Sequence, residues 1–371
     1  MSVRSSSHGP GRARGSHRSG FFSNNVPVGL LHPDDLTAWR RSRASRPALG
    51  RLSVGLRELT HDPRFELFIG GSSPTLLVAL ESTTIADRMA VLAPLAHVDM
   101  TKVAILAPFG AGPLLPQHPW DTRILFPEEL PRYFERMKAI VATSHHTDVG
   151  QSVYDFAQLV GCPFFVVQST LLSPYTAPLP PGAHLLAWSD TDVAFWREGS
   201  AEARKAANTV VGSQLLWAAT QEALEEPNKA SAVTYLGQLQ EASLGSKNMS
   251  KVAEDFCLAH DAVYRPHPAE TDRRTRSIHE RFVRLGIALD QSQTPIRHFD
   301  GPVVSVYSTG VLEAAARGLP AWVDYPDPPA WLTDMWDRYT MFRYGGEPTP
   351  PPKALNFEPA YAIGITIDRY L

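Results

Sequence analysis

From about residue 65 the chain alternates short apolar runs with stretches whose apolar side chains return every three or four positions. RFELFIGG and KVAILAPFG read as buried strands that end at Gly or Pro. KAIVATS (138–144) is a further strand, and VGQSVYDFAQLVG a helix with Val153, Phe156, Ala157 and Val160 on one face. CPFFVVQS, HLLAWSD and NTVVGSQ continue the strand series. This alternation predicts an α/β protein with a parallel sheet covered on both faces.

The pattern breaks at ATQEALEEPNKAS (219–231), which is polar, acidic and carries Pro227. It restarts with the strand AVTYLGQL, a helix near 249–259, the strand DAVYRPHP and a helix at 272–285 closed by Gly286. The strands PVVSVYS and AWVDYP follow, and EPAYAIGITIDRYL reads as a terminal helix or a strand-helix remnant. The expected organisation is a basic tail at 1–24, an α/β domain at 25–218, a link at 219–231, a second α/β domain at 232–350, and a final segment at 351–371 that packs back on the core. Ligand is expected in the cleft between the two domains.

Length and charge agree with this division. A chain of 371 residues exceeds one ordinary core, and a formal net charge of −3 gives no general attraction to nucleic acid. Cys162 and Cys257 are the only cysteines, so a disulfide framework or a cysteine-rich zinc site is excluded. They read as core thiols in a reducing compartment. The opening MSVRSSSHGPGRARGSHRSG is basic, rich in Ser and Gly, and lacks the apolar segment of a secretory signal. Its expected state is a solvated tail, with contact to an anionic membrane at the inner face as the alternative. No run approaches the roughly 18 apolar residues of a membrane span, which points to a cytoplasmic protein.

Two stretches carry candidate chemistry. In VVSVYSTGVLEAAARGLP (303–320), Ser308 and Thr309 stand where a strand becomes a helix, and Gly310 permits close backbone approach. Hydroxyls, open backbone N–H groups and the positive end of a helix dipole coincide there, which suits a phosphate without a metal. The plainer reading is a helix N-cap. In YRPHPAE (264–270), Pro266 and Pro268 hold the corner extended, so that His267 sits at the carboxyl edge of a strand with Arg265 beside it. The plainer reading here is a surface turn. Glu313, one turn into the helix, is placed either to reach a ribose hydroxyl or to lie in solvent.

A His-Pro corner followed about forty residues later by strand, Ser-Thr, Gly and LEAAARGLP resembles the C-terminal half of GT-B glycosyltransferases. Among these it is most similar to bacterial polysialyltransferases and the CDP-glycerol glycerophosphotransferase group. HLLAWSDTDVAFW and NTVVGSQLLW resemble the passage between their two domains, so the resemblance spans about residues 138–325. It implies two Rossmann-type parallel-sheet domains facing each other across a cleft. It also implies donor-phosphate binding by His267, Ser308 and Thr309, with Arg265 and Gly310 adjoining.

Two departures bear on catalysis. Where these relatives carry His-Gly after the strand matching FFVVQ, this chain has Ser169 and Thr170. Their N-terminal acidic motif has only an echo in SHHTDVG (144–150), which makes Asp148 and His146 the candidate bases. The same loop also reads as an ordinary polar entry to a helix. With a helix terminus at Ser308 and Thr309 to meet the phosphate charge, neither a metal nor another cofactor is expected.

The implied activity is inverting transfer from a CMP-, CDP- or UDP-activated donor to a glycan or polyol acceptor, in capsule or cell-wall polysaccharide biosynthesis. Two alternatives stand beside it. One is a UDP-sugar 2-epimerase, disfavoured by the lack of a rich set of acids at the cleft. The other is a weakened nucleotide-sugar-binding protein, in which the aromatic DYPDPPAWLTDMWDRYTMF (324–342) serves a partner or forms a lid over the donor. Sequence leaves the oligomeric state open.

Overall fold

The computed structural model describes residues 29–44, 64–134, 136–224, 231–239, 243–292 and 295–371. The tail expected at 1–24 and part of the link (225–230) lie outside the described residues. In chain order the main elements begin with α1 (Leu36–Ala44), β1 (Phe65–Ile69), β2 (Leu76–Ala79), α2 (Ile85–Val91), β3 (Val103–Ala107) and β4 (Asp121–Leu125). Next come β5 (Ala139–Ala142), α3 (Asp148–Val160), β6 (Phe164–Val167), β7 (His184–Ala187), α4 (Asp190–Arg197), β8 (Ala207–Val210) and α5 (Gln214–Gln221). The second half holds β9 (Thr234–Leu236), α6 (Ser246–His260), β10 (Val263–Arg265), α7 (Arg273–Arg284), β11 (Val303–Ser305), α8 (Thr309–Ala316), β12 (Ala321–Val323), α9 (Ala330–Arg338) and α10 (Pro359–Asp368).

The α/β class expected from the alternating pattern is the class the chain forms. An eight-stranded sheet runs β4-β1-β3-β2-β5-β6-β7-β8, and a four-stranded sheet runs β10-β9-β11-β12. All pairings in the smaller sheet are parallel. The larger sheet is not wholly parallel, contrary to expectation, because β1 runs antiparallel to both β3 and β4. Loop length is the cause. Only residues 70–75 separate β1 from β2, whereas a parallel crossover needs about a dozen residues or more. The turn is tight as well, since a Cβ on Gly70 would stand 2.1 Å from the Met100 carbonyl oxygen and one on Gly71 2.3 Å from that of Thr101. The mostly exposed DTRIL of β4 then ends the sheet with charged side chains.

Alternation along the central strands fills two cores. Leu77, Ala79, Ile140 and Ala142 face one side with Val153, Phe156 and Ala157 of α3. Leu76, Val78, Ala139 and Val141 face the other, where Ile363 and Ile367 of α10 join them. The end of the chain thus returns from the second sheet to the first. A Cβ on Gly364 would come within 2.9 Å of His97 Cβ, which shows how closely α10 lies on the 93–97 turn.

A third core surrounds the smaller sheet and includes Cys257, Leu332, Met335 and Trp336. The last three lie on α9, so one face of the aromatic stretch at 324–342 is built into the core. Trp336 Nε1 donates to the Val306 carbonyl at 2.8 Å, tying α9 to the loop after β11. The two halves meet at the end of α9. Tyr339 Oη donates to Asp192 of α4 at 2.5 Å and accepts the Leu172 N–H at 2.8 Å. Arg338 donates to the Leu172 carbonyl and lies over the Phe195 ring at 3.6 Å. No helix among the described residues is long and apolar enough to cross a membrane.

Candidate functional site

Both chemistry-bearing stretches leave the carboxyl edge of the smaller sheet. β10 and β11 flank β9 on either side, so His267 and Ser308 follow strands about 10 Å apart, twice the interstrand spacing. The loop after β9 joins them. On one side Gln238 Oε1 accepts from Ser305 Oγ at 2.9 Å and from the Tyr307 N–H at 3.0 Å. On the other, Glu270 accepts the Leu239 N–H at 2.9 Å.

Glu270 is the anchor of the His-Pro corner. Its carboxylate is fully buried and also accepts from Tyr264 Oη at 3.0 Å and from His279 Nε2 at 2.7 Å. Burial, followed by the Glu270 charge, holds the Tyr264 phenol well above its ordinary range. Gly237 makes this packing possible, because a Cβ there would stand 2.2 Å from Tyr264 Oη and 2.8 Å from Glu270 Oε1.

The corner sets the chemistry of His267. Its Nδ1 accepts the Ala269 N–H at 3.1 Å. In the neutral ring this assigns the hydrogen to Nε2 and makes that atom a donor. Arg265 is turned elsewhere. It pairs with Asp290 at 2.7 Å and lies over the Phe299 ring at 4.7 Å. Burial works to raise the Asp290 carboxyl, but hydrogen bonds from Ser292 and the Arg265 charge hold it below the usual range.

Ser308 is the N-cap of α8, and its Oγ accepts the Gly310 N–H at 3.1 Å. Gly310 does serve a close approach, though to protein, since a Cβ there would come within 2.7 Å of Leu236 Cδ1. Thr309 opens the helix and Glu313 lies one turn on, both half-buried.

A second feature lies at the carboxyl edge of the larger sheet. A cavity of about 260 Å³ is lined by residues that follow β2, β5 and β6 and by the 176–180 loop. Glu81 anchors it, accepting from Thr143 Oγ1 at 2.9 Å, from the Ser144 N–H and Oγ at 2.5 Å each, and from Thr147 Oγ1. Ser82 Oγ donates to Asp87 at 2.5 Å, and Ser169 lines the same cavity, where its hydroxyl acts to lower the Asp87 carboxyl. His145 and His146 also line the cavity. Burial, reinforced by the charges of His146 and Arg40, pushes the His145 imidazole down to about 4. The His146 ring meets Trp39 edge-on at 4.6 Å. Asp148 is exposed at the first position of α3 and is not part of the lining.

Of the residues singled out in the sequence, His267, Ser308, Thr309 and Gly310 share one sheet edge, and His146 lines the cavity at the other. Glu81, Asp87, Gln238 and Glu270 were missed. Glu270 lies inside the quoted YRPHPAE, and T-x-x-D at 84–87 is a helix-start signal that Thr84 fulfils by capping the Asp87 N–H. Three rings join the two edges. Trp331 of α9 meets Tyr175, next to the cavity-lining Thr176, at 5.4 Å and Tyr307, next to Ser308, at 5.8 Å.

The architecture is thus that of an α/β protein with two parallel strand edges, each carrying polar groups. No protein-family model matches the chain, and no curated protein matches it in sequence. Among solved structures, a UDP-GlcNAc 2-epimerase from Methanocaldococcus jannaschii in complex with UDP-GlcNAc and UDP superposes with a TM-score of 0.49 at 12% identity, over 80% of this chain and 100% of its own. Anabaena Alr3699/HepE in complex with UDP gives 0.41 at 11% identity, over 80% and 89%. A Thermobaculum terrenum O-GlcNAc transferase gives 0.39 at 13% identity, over 81% and 62%.

Proposed function

We propose that this chain is a GT-B-like, inverting, metal-independent transferase that takes its donor from a CMP-, CDP- or UDP-activated sugar or polyol and adds it to a cell-surface polymer. The observation that carries this reading is the shared edge of β10 and β11. There a histidine whose Nε2 is a donor and the N-terminus of α8 flank a single loop. Together they suit a diphosphate or phosphodiester leaving group: the helix end supplies N–H groups and partial positive charge, and His267 supplies a directed hydrogen bond. Since Arg265 is compensated by Asp290, its part is to shape the corner through Phe299. Glu313 is placed for the ribose. The acceptor enters from the larger sheet, where a base assists the attacking hydroxyl while the edge of the smaller sheet stabilises the departing nucleotide.

One observation favours a second reading. The cavity is lined by two acids, Glu81 and Asp87, so the shortage of acids held against a UDP-sugar 2-epimerase does not apply. The test is calorimetric titration with CMP, CDP and UDP, followed by incubation with the matching donors. Binding followed by transfer to an added alcohol supports the transferase. Conversion of UDP-GlcNAc to its 2-epimer supports the other reading, and absence of binding by all three nucleotides removes both.

A further inference from the structure

The cavity at the edge of the larger sheet has a composition of its own. Asp87, Ser82, Ser169 and His146 are among its polar lining, and Leu179 and Trp196 supply apolar lining. A sugar or polyol offers the matching surfaces, hydroxyls at the rim and C–H groups on the face. At about 260 Å³ the space falls below the roughly 300–1,000 Å³ of sites for drug-sized ligands. A space of this size matches one ring or polyol unit, the reacting end of an acceptor.

The two carboxylates lining it are in different situations. Glu81 is saturated by donors from residues 143–147 and acts as the anchor of that loop. Among the described residues Asp87 accepts from a single donor, the Ser82 hydroxyl, which leaves its carboxylate acceptor capacity for an incoming alcohol that Glu81, with four donors, does not have. Ser169 stands where the resembled family carries a histidine, and Asp87 is the proton-accepting neighbour that a serine there lacks by itself.

We infer that Asp87 is the general base of the reaction and that the cavity is the acceptor subsite, taking one hydroxyl-bearing ring or polyol unit beside Ser169. This rests on the transferase reading above. As the acceptor oxygen attacks the donor carbon, the Asp87 carboxylate takes its proton. With a sugar donor the new C–O bond forms while the bond from that carbon to the phosphate oxygen breaks, and the nucleotide departs with the electron pair toward His267 and α8. With CDP-glycerol the same oxygen attacks phosphorus instead, a new P–O bond forms, the bridging P–O bond of the diphosphate breaks, and CMP departs the same way. Asp87 is left neutral and returns its proton to water. Burial raises the Asp87 carboxyl; the Ser82 and Ser169 hydroxyls oppose that rise and the Glu81 charge adds to it. Glu81, His145 and His146 are the other titratable groups lining the space.

The experiment compares wild type, Asp87→Asn and Ser169→Ala, with CMP, CDP and UDP as binding probes. CMP-sialic acid, CDP-glycerol and UDP-GlcNAc serve as donors, with glycerol and methyl glycosides as acceptors. The expected result is that Asp87→Asn binds nucleotide as wild type does and loses on the order of 10²–10⁴ in kcat. Ser169→Ala, which removes a hydroxyl that acts to lower the carboxyl, moves the acid limb of the kcat/KM profile to higher pH. A rate for Asp87→Asn within threefold of wild type, or an acid limb unmoved in Ser169→Ala, overturns the assignment. If wild type binds nucleotide and turns over none of these donors, Asp87 has no base role and only the nucleotide site stands. If wild type binds no nucleotide, the transferase reading falls and this inference with it.

Discussion

The indole of Trp331 stands edge-on to the phenol of Tyr307, with ring centroids 5.8 Å apart and ring planes at 78°. Tyr307 leads directly into the Ser308 cap, and on Trp331 also rests Tyr175 from the loop beside the cavity. Edge-to-face pairs of this kind add about 0.5–1.5 kcal/mol beyond the area they bury. Trp331 therefore ties the spacing of the two strand edges to the packing of α9, whose Leu332 and Trp336 are core residues.

His267→Ala removes the Nε2 donor without disturbing Glu270. The loss expected for a charge-assisted hydrogen bond is about 1.5–3 kcal/mol, or roughly 10- to 150-fold in nucleotide dissociation constant. Calorimetry reads this directly, and unchanged affinity for every nucleotide bound by wild type takes His267 out of the site.

Transfer is expected to survive EDTA. The α8 N-terminus and His267 meet the phosphate charge with N–H groups, in the role that a divalent ion plays in other transferases. An activity abolished by EDTA and restored by Mg²⁺ or Mn²⁺ contradicts this.

Glu270→Ala strands Tyr264 Oη, His279 Nε2 and the Leu239 N–H around a buried gap. Breaking such a buried pair costs about 3–5 kcal/mol, read as a lower urea midpoint, and the loosened corner weakens nucleotide binding as well. Gly237→Ala acts on the same spot by overpacking and should cost about 1–3 kcal/mol. If both variants unfold with the wild type, Glu270 is not the anchor.

His145 makes a pH prediction. Burial, with the nearby charges of His146 and Arg40, puts its folded-state value at about 4, below the ordinary 6.5. The unfolded chain therefore takes up the proton first as the pH falls. Stability fully present above pH 6.5 is lost between there and pH 4, by up to about 3 kcal/mol. His145→Gln, which carries no titrating ring, should show a shallower decline over that interval in urea titrations at a series of pH values. Parallel curves for the two proteins count against it.

Local sequence determined a good deal. Hydrophobic alternation marked β1, β3 and β5 to β12, because a strand buried on one or both faces must carry apolar side chains at set intervals. It also marked the helix that Gly161 ends in left-handed conformation, with φ of 70°. The prolines at 266 and 268 announced an extended corner, and the Ser-Thr-Gly run announced the start of α8, since capping is a matter of a few neighbouring residues. Tertiary structure decided the rest. Strand direction in the first sheet followed from the reach of a short loop. Arg265 was drawn to Asp290, a partner distant in sequence, and α9 was claimed by the core, although its run of aromatics reads equally well as an exposed surface. The acids of the cavity were hidden for the same reason. Glu81 and Asp87 are unremarkable in their own segments and come to line one cavity only where β2, α2, β5 and β6 converge, because burial and hydrogen-bond partners are properties of the assembled fold and not of the local chain.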